Sequence, residues 1–109
     1  MTKSAVDRRA HSRQAVVPNQ AALDWGSDSS GDCRVARLLD ISRGGALLES
    51  PEAPPSGQIV WLRLQAPAET PWATATVVRR EPGRVGVQFK GDCPNDLMLA
   101  ATLGISLKF

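Results

Sequence analysis

The sequence predicts a mainly β protein, a small antiparallel barrel or sandwich, followed by one short helix. Short runs of apolar and β-branched residues recur along the 109-residue chain, and each is bounded by glycine, proline or serine. Near the end the pattern changes from alternation to helical spacing, with apolar residues at Leu97, Ala100 and Ala101. These two observations define the fold class, and the size is that of one domain.

Six segments carry the strand pattern. They are residues 21–25, 33–39, 46–49, 59–64, 72–80 and 84–89. The last two are joined by Pro82-Gly83, a turn signal that predicts a hairpin. Strands separated by short turns at this spacing favour antiparallel pairing.

The C-terminal helix has recognisable ends in the sequence. Pro94 suits the first helical position, and Asp92 or Cys93 can cap the N-terminus of the helix. Gly104 is a natural helix stop. The alternating residues that follow, 105–109, predict an extended tail.

Positive charge is concentrated at the N-terminus. The net charge is +2, but residues 1–13 hold four basic residues and one acidic residue, a net +3, so the other 96 residues sum to −1. With almost no apolar side chains, residues 1–13 cannot order themselves by burial. We therefore expect a flexible basic arm over residues 1–13 and the folded domain over residues 14–109. A broad nucleic-acid interface is not indicated.

Cysteine usage and hydropathy indicate a cytoplasmic protein without membrane insertion. Cys33 and Cys93 are too few for a disulfide scaffold, so reduced thiols are expected and a Cys33–Cys93 bridge is the alternative. The N-terminus has no apolar signal-peptide core. The most apolar segment, residues 97–107, is too short to span a bilayer.

The stretch from Asp40 to Gly45 has few side chains suited to a packed core, and it offers a polar surface. Asp40 can accept hydrogen bonds, and Ser42 can donate or accept them. Gly44 and Gly45 allow positive φ and close approach of a ligand, and their N–H groups could form an anion-binding nest. The alternative is an Asx-type turn, in which Asp40 and Ser42 only cap their own backbone.

The second polar cluster is the group of arginines in the arm, Arg8, Arg9 and Arg13. Guanidinium groups bind phosphates bidentately and also read the O6/N7 edge of guanine. The alternative is a solvated basic tail. If the two clusters meet in space, they can bind an anionic ligand that carries guanine.

The two clusters together match a known pattern. Arg9-x-x-x-Arg13 followed by Asp40-x-Ser42-x-x-Gly45 resembles the PilZ domain family, whose pattern is R-x-x-x-R and then [D/N]-x-S-x-x-G. The segments 77–79 and 86–89 also look like the last hairpin of that family. With the helix that follows, the resemblance covers residues 8–103.

This resemblance implies a six-stranded antiparallel β-barrel with a C-terminal helix, and a receptor for cyclic di-GMP. It implies that Arg9 and Arg13 hold phosphates and guanine edges, that Asp40 and Ser42 contact a guanine, and that Gly45 keeps the turn close to the ligand. Arg8 precedes the motif, as in members that bind two stacked messenger molecules. No cofactor and no catalysis are implied; the domain would act through a protein partner, as a monomer or weak homodimer.

Other functions have weaker support in the sequence. His11, Ser12 and Asp40 include the residue types of a hydrolase triad, but His11 and Ser12 are adjacent on a predicted loop, so no enzyme is predicted. Trp25, Trp61 and Trp72 lie in strand-like runs and are expected to pack in the core or at its rim. Two alternatives stay open: a PilZ-fold interaction module that does not bind the nucleotide on its own, and a barrel that binds single-stranded nucleic acid.

Overall fold

The structure, a computed structural model, describes residues 14–26, 34–52 and 54–105. Seven strands and one helix are formed within these ranges. They are β1 (Gln14–Ala15), β2 (Gln20–Asp24), β3 (Arg34–Ile41), β4 (Gly45–Glu49), β5 (Ile59–Ala66), β6 (Ala73–Glu81), β7 (Arg84–Phe89) and α1 (Asn95–Leu103). The predicted arm lies outside the described residues, so the domain boundary after residue 13 stays a prediction.

Six of the strands form a closed antiparallel barrel. Neighbouring strands follow the order β3-β2-β5-β6-β7-β4, and a pairing between β3 and β4 closes the ring. The seventh strand, β1, is a two-residue addition that pairs with the end of β3. The predicted fold class, a mainly β protein with a six-stranded antiparallel barrel and a short C-terminal helix, is confirmed.

Alternating side chains of the strands fill the barrel, and α1 covers one of its ends. Leu97, Ala100 and Ala101 of α1 are buried and belong to the same apolar core as the strands. The helix contacts β3 and β5. The largest fully buried strand residues are Leu23, Leu38, Ile41, Leu48, Leu62, Leu64, Val60, Val77 and Val85. One continuous core therefore holds the helix and the ring together.

Only one end of α1 agrees with the prediction. Pro94 takes the N-cap position, and no side chain caps the helix, so the predicted cap from Asp92 or Cys93 is wrong. The physical reason is that Cys93 is buried in the core while Asp92 pairs with Arg43. The predicted stop at Gly104 is confirmed, since this residue is left-handed with φ 72° and its N–H donates to the Ala100 carbonyl.

Strand β3 is longer than predicted and contains a bulge. The register runs Leu38 opposite Leu48 and then Asp40 opposite Leu47, so Leu39 is an extra residue on β3. Leu38 and Ile41 can therefore both point into the core, although they are three residues apart. Because side chains alternate on a strand, Asp40 is directed to the outer face of the barrel.

The tryptophan prediction is only partly correct. Trp25 packs against the core and is covered by the Arg34 guanidinium, 4.1 Å from the ring centre. Trp61 and Trp72 instead lie on the outer surface, 37% and 39% exposed. Alternation in β5 directs the neighbours of Trp61 inward, and the Arg63 guanidinium lies 4.8 Å from the Trp72 ring centre.

The described residues also bear on the state of the thiols, on membrane insertion and on metal binding. Cys93 is a buried free thiol, and Cys33 lies outside the described residues. Over the described ranges, no helix is long and apolar enough to cross a bilayer. No group of three or more His, Cys, Asp or Glu residues that could hold a metal ion occurs there.

Candidate functional site

The hydroxyl of Ser42 closes the turn that joins β3 to β4. The Ser42 N–H donates to the Gly45 carbonyl at 2.8 Å. In the other direction the Gly45 N–H donates to Ser42 Oγ at 3.2 Å, and the hydroxyl donates to the Gly45 carbonyl at 3.3 Å. The serine thus caps its own turn, as the alternative interpretation of this motif requires, and one lone pair of Oγ is left for another donor.

The tip of this turn is also held by the neighbouring strand β7 and by the loop before α1. The Gly44 carbonyl accepts the Phe89 N–H, and the Arg43 carbonyl accepts the Cys93 N–H, both at 2.8 Å. The exposed Arg43 side chain lies 3.3 Å from the Asp92 carboxylate. Strand β7 and the loop before α1 therefore fix the turn in place.

The two glycines of the turn do not adopt the conformation that was predicted. Neither Gly44 nor Gly45 has a positive φ, so a nest built on a left-handed glycine is not formed. Gly45 is needed for a different reason, since a Cβ on this residue would collide with the Val87 carbonyl oxygen of β7. The absence of a side chain lets β4 and β7 approach each other beside the turn.

Asp40 lies in the middle of three strands at this end of the barrel. It is opposite Ala15 of β1 on one side and Leu47 of β4 on the other. Asp40 is half-buried and interacts with other groups of the protein. The structure therefore brings Asp40, Ser42, Gly44 and Gly45 together at one corner of the barrel.

The arginines of the motif lie outside the described residues, but the chain enters the fold beside this corner. Gln14, the first described residue, is opposite Ile41 in the β1–β3 pairing. Arg13 directly precedes Gln14 in the sequence. The positions of the Arg8, Arg9 and Arg13 side chains stay predictions.

Residues 14–19, the root segment, are attached to β3 by a side chain that was not among the predicted site residues. Asn19 Oδ1 accepts the Leu38 N–H at 2.8 Å. Asn19 Nδ2 donates to the carbonyls of Leu38 and Val17, at 3.1 and 2.9 Å. The sequence gives no local signal for these hydrogen bonds, because they depend on the pairing of segments that are distant in the chain.

The root segment is also attached to the helix. The Val17 N–H donates to the Ala101 carbonyl of α1 at 2.9 Å. A Cβ on Gly104, just after the helix, would be 3.8 Å from a Val17 methyl group. The root segment therefore lies between β3 and the C-terminal end of α1.

Comparison with known proteins identifies the family. A sequence model of the PilZ domain matches residues 7–100, a range that includes both motifs. The chain belongs to the PilZ domain family. PilZ domains are ligand-binding receptor domains of the cyclic di-GMP-binding type. No curated protein matches this PilZ domain.

The outer face of this PilZ domain continues from Asp40 across β4, β7 and β6. Leu47 is opposite Gly86 of β7, and Gly86 is opposite Arg79 of β6. The Arg79 side chain covers the glycine, since a Cβ there would be 3.3 Å from Arg79 Cβ and 3.6 Å from its Nε. Arg79, Arg80 and Arg84 are exposed near the hairpin tip, and the Arg79 side chain lies back over the sheet.

The loop that supports the turn in this PilZ domain contains a thiol with altered acidity. Burial raises the pKa of Cys93 from 9.0 to about 12, and the negative charge of Asp92 adds to the increase. The folded state holds the proton more tightly, so the thiol contributes stability below pH 9 that is lost as the pH rises toward 12.

We expect this loss of stability to be measurable against a Cys93→Ala variant. Between about pH 9.5 and 11, the unfolding free energy of the wild type should fall relative to the variant by at most about 1.4 kcal/mol per pH unit. Urea denaturation at several pH values, with Cys33 replaced by serine in both proteins, measures the difference. A difference that stays constant over this range would contradict the prediction.

Proposed function

We propose that this PilZ domain is a receptor for cyclic di-GMP that has no catalytic activity and signals through a protein partner. The observation that carries the proposal is the β1–β3 register. It brings the chain that follows Arg13 alongside the strand that carries Asp40. The two halves of the family motif, 27 residues apart from Arg13 to Asp40, would then meet at one corner of the barrel.

The expected ligand complements this corner in charge and in hydrogen bonding. Cyclic di-GMP carries two phosphate charges and two guanines. Arg9 and Arg13 would bind phosphates and the acceptor edge of guanine, and the Asp40 carboxylate would accept from the guanine amide and amino groups. Arg9 is five residues from Gln14, so its Cα can reach about 18 Å from the edge of the barrel.

The turn would contribute one direct contact and a fixed shape. Ser42 already uses its hydroxyl proton within the turn, so we expect it to accept a hydrogen bond from the ligand through the remaining lone pair. Gly44 and Gly45 would act by keeping the turn close to β7. Arg8 would add a further cation where two cyclic di-GMP molecules are bound.

The same register predicts where Arg13 lies when the ligand is bound. Gln14 is opposite Ile41 and Ala15 is opposite Asp40. One more antiparallel step would place Arg13 opposite Ser42. Directly opposite residues share a face of the sheet, so Arg13 would join Asp40 and Ser42 on the outer side of the barrel.

Signalling would follow from a change in the arm. We propose that residues 1–13 close over the bound nucleotide and that this change of conformation is read by a protein partner. The attachment of the root segment to α1 makes the helix end of the barrel a suitable surface for that partner. A cytoplasmic monomer or weak homodimer in a bacterial cell fits this role.

The second candidate is an interaction module of the same fold that does not bind the nucleotide on its own. Two observations favour it. Ser42 forms its hydrogen bonds within its own turn, and the carbonyls of Arg43 and Gly44 accept backbone N–H groups of the same protein. In addition, Trp61 and Trp72 are exposed on the outer face, where aromatic side chains often contact other proteins.

Calorimetric titration of the purified full-length chain with cyclic di-GMP separates the two candidates. We expect saturable binding near micromolar ligand, about −8 kcal/mol, because cellular regulation by a small ligand needs an affinity of that order. GMP at the same concentration and salt is the control and is expected to bind far more weakly. A flat titration with a protein that still unfolds cooperatively would support the interaction module.

A further inference from the structure

One edge of β3 is shared by two short strands with a gap between them. β2 pairs with the first part of β3 through Ala21, Ala22 and Leu23, and β1 pairs with its end. The Leu38 backbone lies between the two pairings. The amide of Asn19 fills this gap, because it accepts from the Leu38 N–H and donates to the Leu38 carbonyl as a neighbouring strand would.

The position of the root segment depends on this amide. β1 has only two residues, too few to hold a strand in place through backbone pairing alone. Leu38 is 1% exposed, and its backbone N–H and carbonyl would lose these partners without Asn19. Outside β1, the root segment is also attached by the bond from the Val17 N–H to Ala101 and by the packing of Val16 against the core.

We propose that Asn19 is a positioning residue for the nucleotide site: it holds the root segment on β3 and thereby sets Arg13 against Asp40. The inference rests on the proposed function. An amide suits this position because it supplies both an acceptor and donors. Aspartate would keep the acceptor for the Leu38 N–H but would face two carbonyls with a carboxylate, and leucine would supply neither group.

A double-mutant cycle between Asn19→Leu and Arg13→Ala tests the proposal. Asn19→Leu alone should weaken cyclic di-GMP binding about tenfold, because the arm is no longer held in place before binding. In the Arg13→Ala background the same change should cost at most about twofold, since the residue on which Asn19 acts is gone. Equal effects in both backgrounds would overturn the proposal.

Thr70→Val is the matched control, because it also removes a side-chain acceptor from a buried strand amide. Thr70 Oγ1 accepts the Leu64 N–H at 3.0 Å, and both residues are buried. This variant should lose stability, yet its affinity should change by at most about twofold at a temperature where all the proteins are folded. If Thr70→Val weakens binding as much as Asn19→Leu, Asn19 is merely structural. Should Asn19→Leu not fold, Asn19→Asp is expected to show the same pattern with a smaller loss.

A measurement without ligand separates failure of the inference from failure of the proposed function. Asn19→Leu should speed hydrogen exchange of the Val17 amide, and Thr70→Val should leave it unchanged. Unchanged Val17 exchange in Asn19→Leu would overturn the positioning role whether or not the nucleotide binds. Faster exchange together with a flat wild-type titration would refute the nucleotide function and keep Asn19 as the anchor of the root segment.

Discussion

A Gly45→Ala variant is expected to lose at least about 3 kcal/mol of folding stability, a large share of the total for a domain of this size. The added Cβ would collide with the Val87 carbonyl oxygen, and a backbone atom in a paired strand cannot move aside. Gly45 and Val87 belong to β4 and β7, whose pairing would have to open next to the turn. Urea denaturation gives the change in unfolding free energy.

Gly57→Ala is the control for the general cost of replacing a glycine. Gly57 has a left-handed φ of 88°, and nothing lies within 4 Å of a Cβ built there. Backbone strain alone should cost about 1 to 2 kcal/mol at that position. A Gly45→Ala protein that is no less stable than Gly57→Ala would show that the close approach of β4 and β7 is not needed.

Arg13→Ala is expected to weaken cyclic di-GMP binding about 100-fold, because bidentate bonds from a guanidinium to a phosphate or a guanine edge are among the strongest in recognition. Arg13→Lys should recover only part of this loss, since lysine keeps the charge but not the planar fork. Titration calorimetry at one fixed salt concentration measures both variants against the wild type.

Two measurements are the controls for this prediction, the stability of Arg13→Ala and the affinity of Arg84→Ala. Arg13 precedes the first strand, so we expect its removal to change the unfolding free energy by less than about 0.5 kcal/mol. Arg84→Ala removes an exposed arginine near the hairpin tip, at the opposite end of the barrel from the turn, and should leave the affinity nearly unchanged. If Arg13→Ala unfolds the domain, or if Arg84→Ala weakens binding equally, Arg13 is not a ligand contact.

Local patterns were sufficient to predict most of the fold. The alternation in β7 and the Pro82-Gly83 turn predicted a hairpin that the structure has, and Gly104 ends the helix as expected. The bulge at Leu39 could not be predicted, because it depends on how β3 meets β4 when the ring closes. Trp61 was expected in the core or at its rim, because alternation shows that two faces exist but not which one points inward.

The residues of the candidate site could be predicted from the motif, but the contacts that hold them in place could not. Asp40, Ser42 and Gly45 were selected from the sequence, and the structure places them at one corner of the barrel. Gly45 was selected for its conformational freedom, whereas the structure requires it for the contact with Val87. Asn19 was missed because its partner, Leu38, is 19 residues away and lies beside it only in the folded sheet.

Closure of the ring by the β3–β4 pairing determines how another protein could recognise this domain. In the middle of the barrel each strand already has a neighbour on both sides. A partner therefore cannot extend the sheet there by adding a strand of its own, which is a common route to peptide capture. A partner that contacts the barrel itself would use outward-facing side chains or the helix-capped end, and the same closure protects the barrel against edge-to-edge aggregation.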